Sequence, residues 1–118
     1  MNMLNAFHAH VLEACTQRGL TEPEVLRQVK AMGYGGLECG CRQLTEERRQ
    51  WFDDCGLKVA SVYEDYDLGH NAPEENERQF RFHLERAASF GAKRALCVPG
   101  LIRKGDDPNL IRRRMAEE

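Results

Sequence analysis

The sequence has no run near the roughly 18 consecutive apolar residues that a membrane-spanning helix needs. Its first twelve residues, Met1 to Leu12, carry no Lys or Arg, so they lack the basic start of a secretory signal, and a cytoplasmic location is the expectation. An excess of one charge is also missing. Seventeen basic and 19 acidic side chains give a formal net charge of -2. That balance excludes a general nucleic-acid or membrane-surface binder. Paired cysteines are absent as well. Cys15, Cys39, Cys41, Cys55 and Cys97 are odd in number and have no framework spacing, which suits reduced, buried thiols. Cys39 and Cys41 are the only close pair and lack the second pair, or matching histidines, of a structural zinc knuckle. There is no Walker motif, no glycine-rich turn after the first apolar run, and no low-complexity linker. What remains is 118 residues, 42% hydrophobic and 31% charged, an ordinary composition for one globular domain.

Punctuation organises the chain. Three times an amphipathic stretch ends at a glycine and a short apolar run follows. Gly33 precedes Gly36-Leu37-Glu38-Cys39, Gly56 precedes Val59-Ala60-Ser61-Val62-Tyr63, and Gly91 precedes Ala95-Leu96-Cys97-Val98. Glycine just past a helix takes the left-handed conformation that other residues resist. Short apolar runs without clean alternation suit strands buried on both faces. Upstream of the first glycine, Thr21 and Glu24 form a capping box with Pro23 in the first turn, and Val25, Leu26, Val29 and Met32 share a helical face. Thr45 caps a second helix whose apolar side is Trp51, Phe52 and Cys55. Pro73 opens a third with Phe80, Leu84, Ala87 and Ala88 at helical spacing. A fourth starts near Asp107-Pro108 and presents Leu110, Ile111 and Met115. The apolar run Met3 to Ala9 reads as the first strand, and Val11 to Arg18 as a short extra helix or irregular loop.

The resulting order alternates strand and helix, which predicts a parallel sheet with right-handed crossovers. Ionisable residues gather at the C-terminal ends of the predicted strands, where α/β barrels build their sites. They are His8 and His10, then Glu38, then Glu64, Asp65, Asp67 and His70, then Arg103, Lys104 and Asp106. The Gly56 to Gly91 interval is longer than the Gly33 to Gly56 interval. The surplus falls in Glu64 to Ala72, a stretch to suspect of function.

Three ordered segments carry a family likeness. Val29 to Glu38 follows an apolar-x-x-apolar-G-Y-x-G-apolar-E pattern. Gly56 to Ser61 follows G-L-x-V-x-S, and Ala87 to Lys93 follows A-x-x-L-G-A-K, with Phe90 in the leucine position. Together they resemble the sugar phosphate isomerases/epimerases of the xylose-isomerase-like TIM-barrel superfamily, over most of the chain. The resemblance implies an α/β fold of parallel β/α units, with residues 1–118 as the N-terminal half, about four units, of a (β/α)8 TIM barrel. A complete barrel needs roughly 250 residues, so the chain reads as truncated within its fourth helix. The resemblance further implies a divalent metal (Mn, Mg, Zn or Co) and metal-assisted proton transfer on a sugar or polyol. The family's metal ligands and acid/base glutamates belong to later strands, so the catalytic residues are expected beyond residue 118. No metal ligand is assigned here, no tightly bound metal is expected, and the isolated chain should be catalytically silent.

The substrate-binding candidates are His8, Glu38, Tyr63, Glu64 and His70. His8 would line the sugar pocket or pack as a structural histidine. Glu38 can accept hydrogen bonds from substrate hydroxyls or hold a neighbouring Arg or Lys. Tyr63 and Glu64 end the third strand and follow the same logic. His70 can donate to a hydroxyl or phosphate, or stand solvated in its loop. His83 reads as helix packing or surface, and the Glu46-Glu47-Arg48-Arg49 and Arg112-Arg113-Arg114 runs as solvated helix faces. Two alternatives stay open. A His-x-His after a first barrel strand also occurs in metal-dependent amidohydrolases, so a hydrolase or endonuclease with His8 and His10 as ligands is one. A non-catalytic half-barrel that self-associates through its open sheet edges is the other. The expected partner is a small sugar or polyol, with no nucleic acid and no membrane.

Overall fold

The computed structural model describes residues 6–117. Strand β1 (Ala6–His8) leads into helices α1 (His10–Thr16) and α2 (Glu22–Ala31). Strand β2 (Gly36–Gly40) is followed by one 3-10 turn, Cys41–Gln43, and helix α3 (Glu46–Cys55). Strand β3 (Lys58–Asp65) precedes helix α4 (Pro73–Ser89), and strand β4 (Ala95–Val98) precedes helix α5 (Pro108–Glu117). Of the expected first strand, Met3 to Ala9, the residues Ala6–His8 form β1, and Met3 to Asn5 lie outside the described residues. Val11 to Arg18 resolves as α1 and its C-terminal turn. All pairings are parallel, in the order β1-β2-β3-β4. No described helix is long and apolar enough to cross a membrane.

The caps form as the sequence dictates. The Thr21 N–H donates to Glu24 Oε2 at 2.7 Å, and the Glu24 N–H donates to Thr21 Oγ1 at 3.4 Å. The Arg48 N–H donates to Thr45 Oγ1 at 3.2 Å. Gly33, Gly56 and Gly91 all take positive φ, as helix stops of this kind require. Each turn then delivers the chain to the start of a parallel strand.

The core lies between the sheet and its helices. Phe7, Leu37 and Val59 are in register across β1, β2 and β3 and meet Val25, Leu26, Val29 and Phe52. Two arginines from the run expected as a solvated face join the helices instead. Arg48 makes a two-pronged pair with Glu22, both contacts at 2.8 Å, and links α3 to α2. Arg49 donates to the Ser89 carbonyl at 2.8 Å, and its guanidinium sits 3.8 Å over the Phe90 ring. A long arginine stem reaches across a groove that a short side chain leaves unsealed.

Three expectations change. Met32 was placed on the apolar face of α2 but is 70% exposed. It is the helix C-cap, one residue beyond the last helical residue, Ala31, and its side chain points to solvent. Along α4 only Ala87 of the expected stripe is buried, while Phe80, Leu84 and Ala88 are exposed. Strand β4, expected to be buried on both faces, is exposed at Ala95, Leu96 and Cys97. The cause is common to α4 and β4. Among the described residues β4 is an edge strand, so α4 has little to pack on at that side.

The detail that positions the site is a bulge. Leu37 is opposite Val59, but Glu38 is opposite Ser61, so Ala60 is the extra residue in β3. Beyond it Cys39 faces Val62 and Gly40 faces Tyr63. Because side chains alternate along a strand, one inserted residue exchanges the faces of everything that follows. Val62 and Glu64 therefore turn toward the helices, and Ser61, Tyr63 and Asp65 toward the open face.

Candidate functional site

The open face of the sheet carries a row of polar and aromatic groups from three neighbouring strands. His8 stacks on Tyr63 with ring centroids 4.8 Å apart and 21° between planes. His10, at the start of α1, lies 4.5 Å from His8 between ring centroids. Its Nε2 is 3.4 Å from the Tyr63 hydroxyl. The His10 N–H donates to His8 Nδ1 at 3.3 Å. That bond assigns the His8 proton to Nε2, which faces Glu38 Oε1 at 4.0 Å. The Ser61 hydroxyl donates to the other Glu38 oxygen at 3.2 Å. Gly40 packs against the tyrosine: a Cβ there would sit 3.4 Å from the Tyr63 ring, an ordinary contact. Burial raises the Tyr63 hydroxyl above its ordinary value, so it is a neutral donor at physiological pH.

Past the ends of β3 and β4 lies a cleft of about 470 Å³. Asp65, Asp67, Arg42 and Arg103 give it charges of both signs, and Tyr66 and Leu101 give it apolar wall. A mixed lining of this type suits a polyhydroxylated ligand with an anionic group better than an apolar one.

His70 lies apart from the His8 row. Its Nδ1 meets Asp67 Oδ1 at 2.6 Å and its Nε2 meets Asp106 Oδ2 at 2.9 Å. The Asp67 bond, then the Asp106 bond, raises its pKa above the ordinary histidine value. Asp106 also accepts the Arg103 N–H at 2.6 Å, and that bond first, with His70 next among its stabilising partners, lowers its pKa. Arg103 closes the ring on Asp67. The group ties the β3–α4 loop to the β4–α5 loop, with both His70 nitrogens engaged.

Glu64 also separates from the others, because the bulge sends it to the helix side. There it meets two residues that the sequence did not single out for chemistry, Cys41 and His83. His83 Nδ1 is 3.0 Å from the Tyr66 hydroxyl. Burial, with the Glu64 charge a smaller contribution, pushes the Cys41 thiol up to about 11, and burial pushes Tyr66 up to about 12. A signal for His83 was present: it stands three residues after Phe80 and four before Ala87, on the stripe that faces the sheet.

Of the five candidates, then, His8, Glu38 and Tyr63 come together, with His10 and Ser61 added. His70 and Glu64 sit in two other groups. The basic run Arg112-Arg113-Arg114 is exposed, and Arg114 donates to the Gly69 carbonyl at 3.4 Å. On the open face His8 and Glu38 do not by themselves form a three-donor metal group among the described residues.

No protein-family model matches the sequence, and no curated protein does either. Solved structures do match. A probable 3-DHS dehydratase involved in petrobactin synthesis from Bacillus anthracis aligns with a TM-score of 0.65 at 13% identity, over 98% of this chain and 45% of that one. A xylose isomerase domain containing protein from Salmonella typhimurium aligns with a TM-score of 0.58 at 18% identity, over 97% of this chain and 44% of that one. A sugar phosphate isomerase/epimerase from Parabacteroides distasonis aligns with a TM-score of 0.58 at 19% identity, over 99% of this chain and 47% of that one. At these identities the likeness is one of fold. The chain has the fold of about half of a (β/α)8 barrel, and it spans less than half the length of each of these structures.

Proposed function

We propose that the open face of this sheet is part of a sugar- or polyol-binding surface in a barrel whose reaction is isomerisation or epimerisation. One observation carries the reading: His8, Glu38, Ser61 and Tyr63 project from three adjacent strands onto one face. The 4.0 Å gap between His8 Nε2 and Glu38 Oε1 is too long for a hydrogen bond. A hydroxyl oxygen at about 2.8 Å from both atoms fits between them, accepting from the imidazole and donating to the carboxylate. Tyr63 and His10 supply further polar tips beside it.

This chain's share of the reaction is binding and orientation. Glu38 holds a substrate hydroxyl, and Ser61 fixes the carboxylate rotamer. No proton-transfer step is assigned to these residues. No step through a metal is assigned to these residues. Against the hydrolase reading with His8 and His10 as ligands stands His8 Nδ1, which already accepts the His10 N–H.

The test is chemical-shift mapping with sugar phosphates and polyols. Shifts confined to His8, Glu38, Ser61 and Tyr63, and lost in His8→Ala and Glu38→Gln, support the reading. Shifts absent from this face, or unchanged in both variants, sink it. A second reading rests on β4. Leu96 is 58% exposed on an edge strand, so a second copy pairing there would bury it. Light scattering that shows only monomers at high concentration removes that reading.

A further inference from the structure

The helix side of the sheet holds a donor set with no part in sugar binding. Cys41 opens the turn after β2, Glu64 comes from β3, and His83 comes from the middle of α4. One ligand atom of each, a thiol sulfur, a carboxylate oxygen and an imidazole nitrogen, lies within 4.8 Å of the other two. It is the one such three-donor group among the described residues.

Glu64 is the least satisfied member of the group. Its side chain is only 10% exposed, and no described residue donates a hydrogen bond to it. Its two nearest cationic candidates both stop short. Arg42 Nε stands 3.9 Å from Oε1, on a solvent-exposed side chain. His83 Nε2 stands 3.9 Å from Oε2. A largely buried carboxylate without a donor is stabilised by a cation placed beside it.

The rest of the geometry suits a cation. With bonds of about 2.0–2.3 Å in a tetrahedron, two ligands of one zinc sit roughly 3.3–3.8 Å apart. The 3.9 Å between His83 and Glu64 is that separation with little slack, and it is too long for a direct bond. His83 Nδ1 is held by the Tyr66 hydroxyl, the outer contact that orients a ligating imidazole and leaves Nε2 free. Cys41, Glu64 and His83 also line one small cavity of about 70 Å³, enough for an ion and a water.

We propose that Cys41, Glu64 and His83 bind one zinc-class divalent cation on the helix side of the sheet. On binding, the Cys41 S–H gives its proton to solvent and the thiolate sulfur becomes the third ligand. Three protein donors leave the fourth tetrahedral position to water. The ion ties the turn after β2, strand β3 and helix α4 together, and it supplies the positive charge that Glu64 lacks. The inference is independent of the sugar-binding reading, which uses the opposite face.

The test is titration of the reduced 118-residue chain with Co²⁺, then Zn²⁺. One equivalent of Co²⁺ should bind with a thiolate-to-cobalt charge-transfer band, and Zn²⁺ should bleach it. Cys41→Ser should abolish the band. His83→Gln and Glu64→Gln should weaken binding beyond the roughly tenfold that loss of an outer partner costs. His8→Ala and His10→Ala, on the other face, should leave stoichiometry and band unchanged. Circular dichroism of each metal-free variant separates lost ligation from lost folding, and His83→Gln is the arm least disruptive to the core. Absence of a thiolate band, its survival in Cys41→Ser, or its loss in His8→Ala would each overturn the proposal.

Discussion

Leu37, Cys39, Val59 and Val62 on the helix side of the sheet are closed from solvent, whereas His8, Glu38, Ser61 and Tyr63 on the other side of the same three strands are not. The closed side is apolar and packs against α2 and α3, so removal from water there stabilises the fold. The open side is polar, and its groups bond to one another across strands while their remaining lone pairs and protons face solvent. One face thus holds the structure and leaves the other free for a ligand. Glu64 breaks the rule as a carboxylate on the closed side, which is why it marks a second site.

The comparison can be tested from its strongest contrast downward. Leu37→Ala, at a position with no exposure, should cost about 2–5 kcal/mol in a denaturant titration. Leu96→Ala, a similar deletion on the open side of β4, should change stability by less than about 0.5 kcal/mol. Equal losses would mean that the open face is covered in solution, and would point to self-association. Next in size, Arg48→Ala should cost about 1–2 kcal/mol, because it strands Glu22 between α2 and α3. Glu22 is held below the ordinary carboxylate value by that same arginine. His8→Ala should move stability by no more than about 0.5 kcal/mol while removing the ligand response. A large loss of stability would make His8 a structural histidine.

The smallest expected effect is one of pH. His70 is raised by Asp67 and Asp106, with Arg103 on Asp67 and Arg114 near the same loop. A raised folded-state pKa means that the charged imidazolium is favoured by folding. Its contribution is fully present below the ordinary value of 6.5 and is lost as pH rises through the higher folded-state value. Stability measured across that window should fall in the parent and stay flat in His70→Gln. A proton titration of the His70 ring at or below 6.5 would count against the clasp.

How far the sequence reached can be traced residue by residue. Thr21, Glu24, Thr45 and the stops at Gly33, Gly56 and Gly91 act within a few residues of themselves, so their outcomes were legible. His8 and Glu38 were legible as strand-end residues because strand ends in a parallel sheet are a property of chain order. The roles of Arg48 and Arg49 were not. Their partners, Glu22 and Ser89, lie far along the chain, and only packing brings them together. The exposure of β4 was not legible either, since an edge strand and a central strand differ by a neighbour and not by composition.

By itself the sequence determined the parallel β/α order, the helix caps and stops, and the polar groups at the strand ends. It did so because these depend on local backbone preference and on side-chain period. Only the tertiary structure decided which face each of them serves. Val59 and Val62 stand three apart, a spacing at odds with a period of two, and the bulge at Ala60 resolves that mismatch. It turns Tyr63 toward His8 and Glu64 toward Cys41 and His83. The physical reason is the alternation of side chains along a strand: one residue of register exchanges the faces, and register is set by the neighbouring strand.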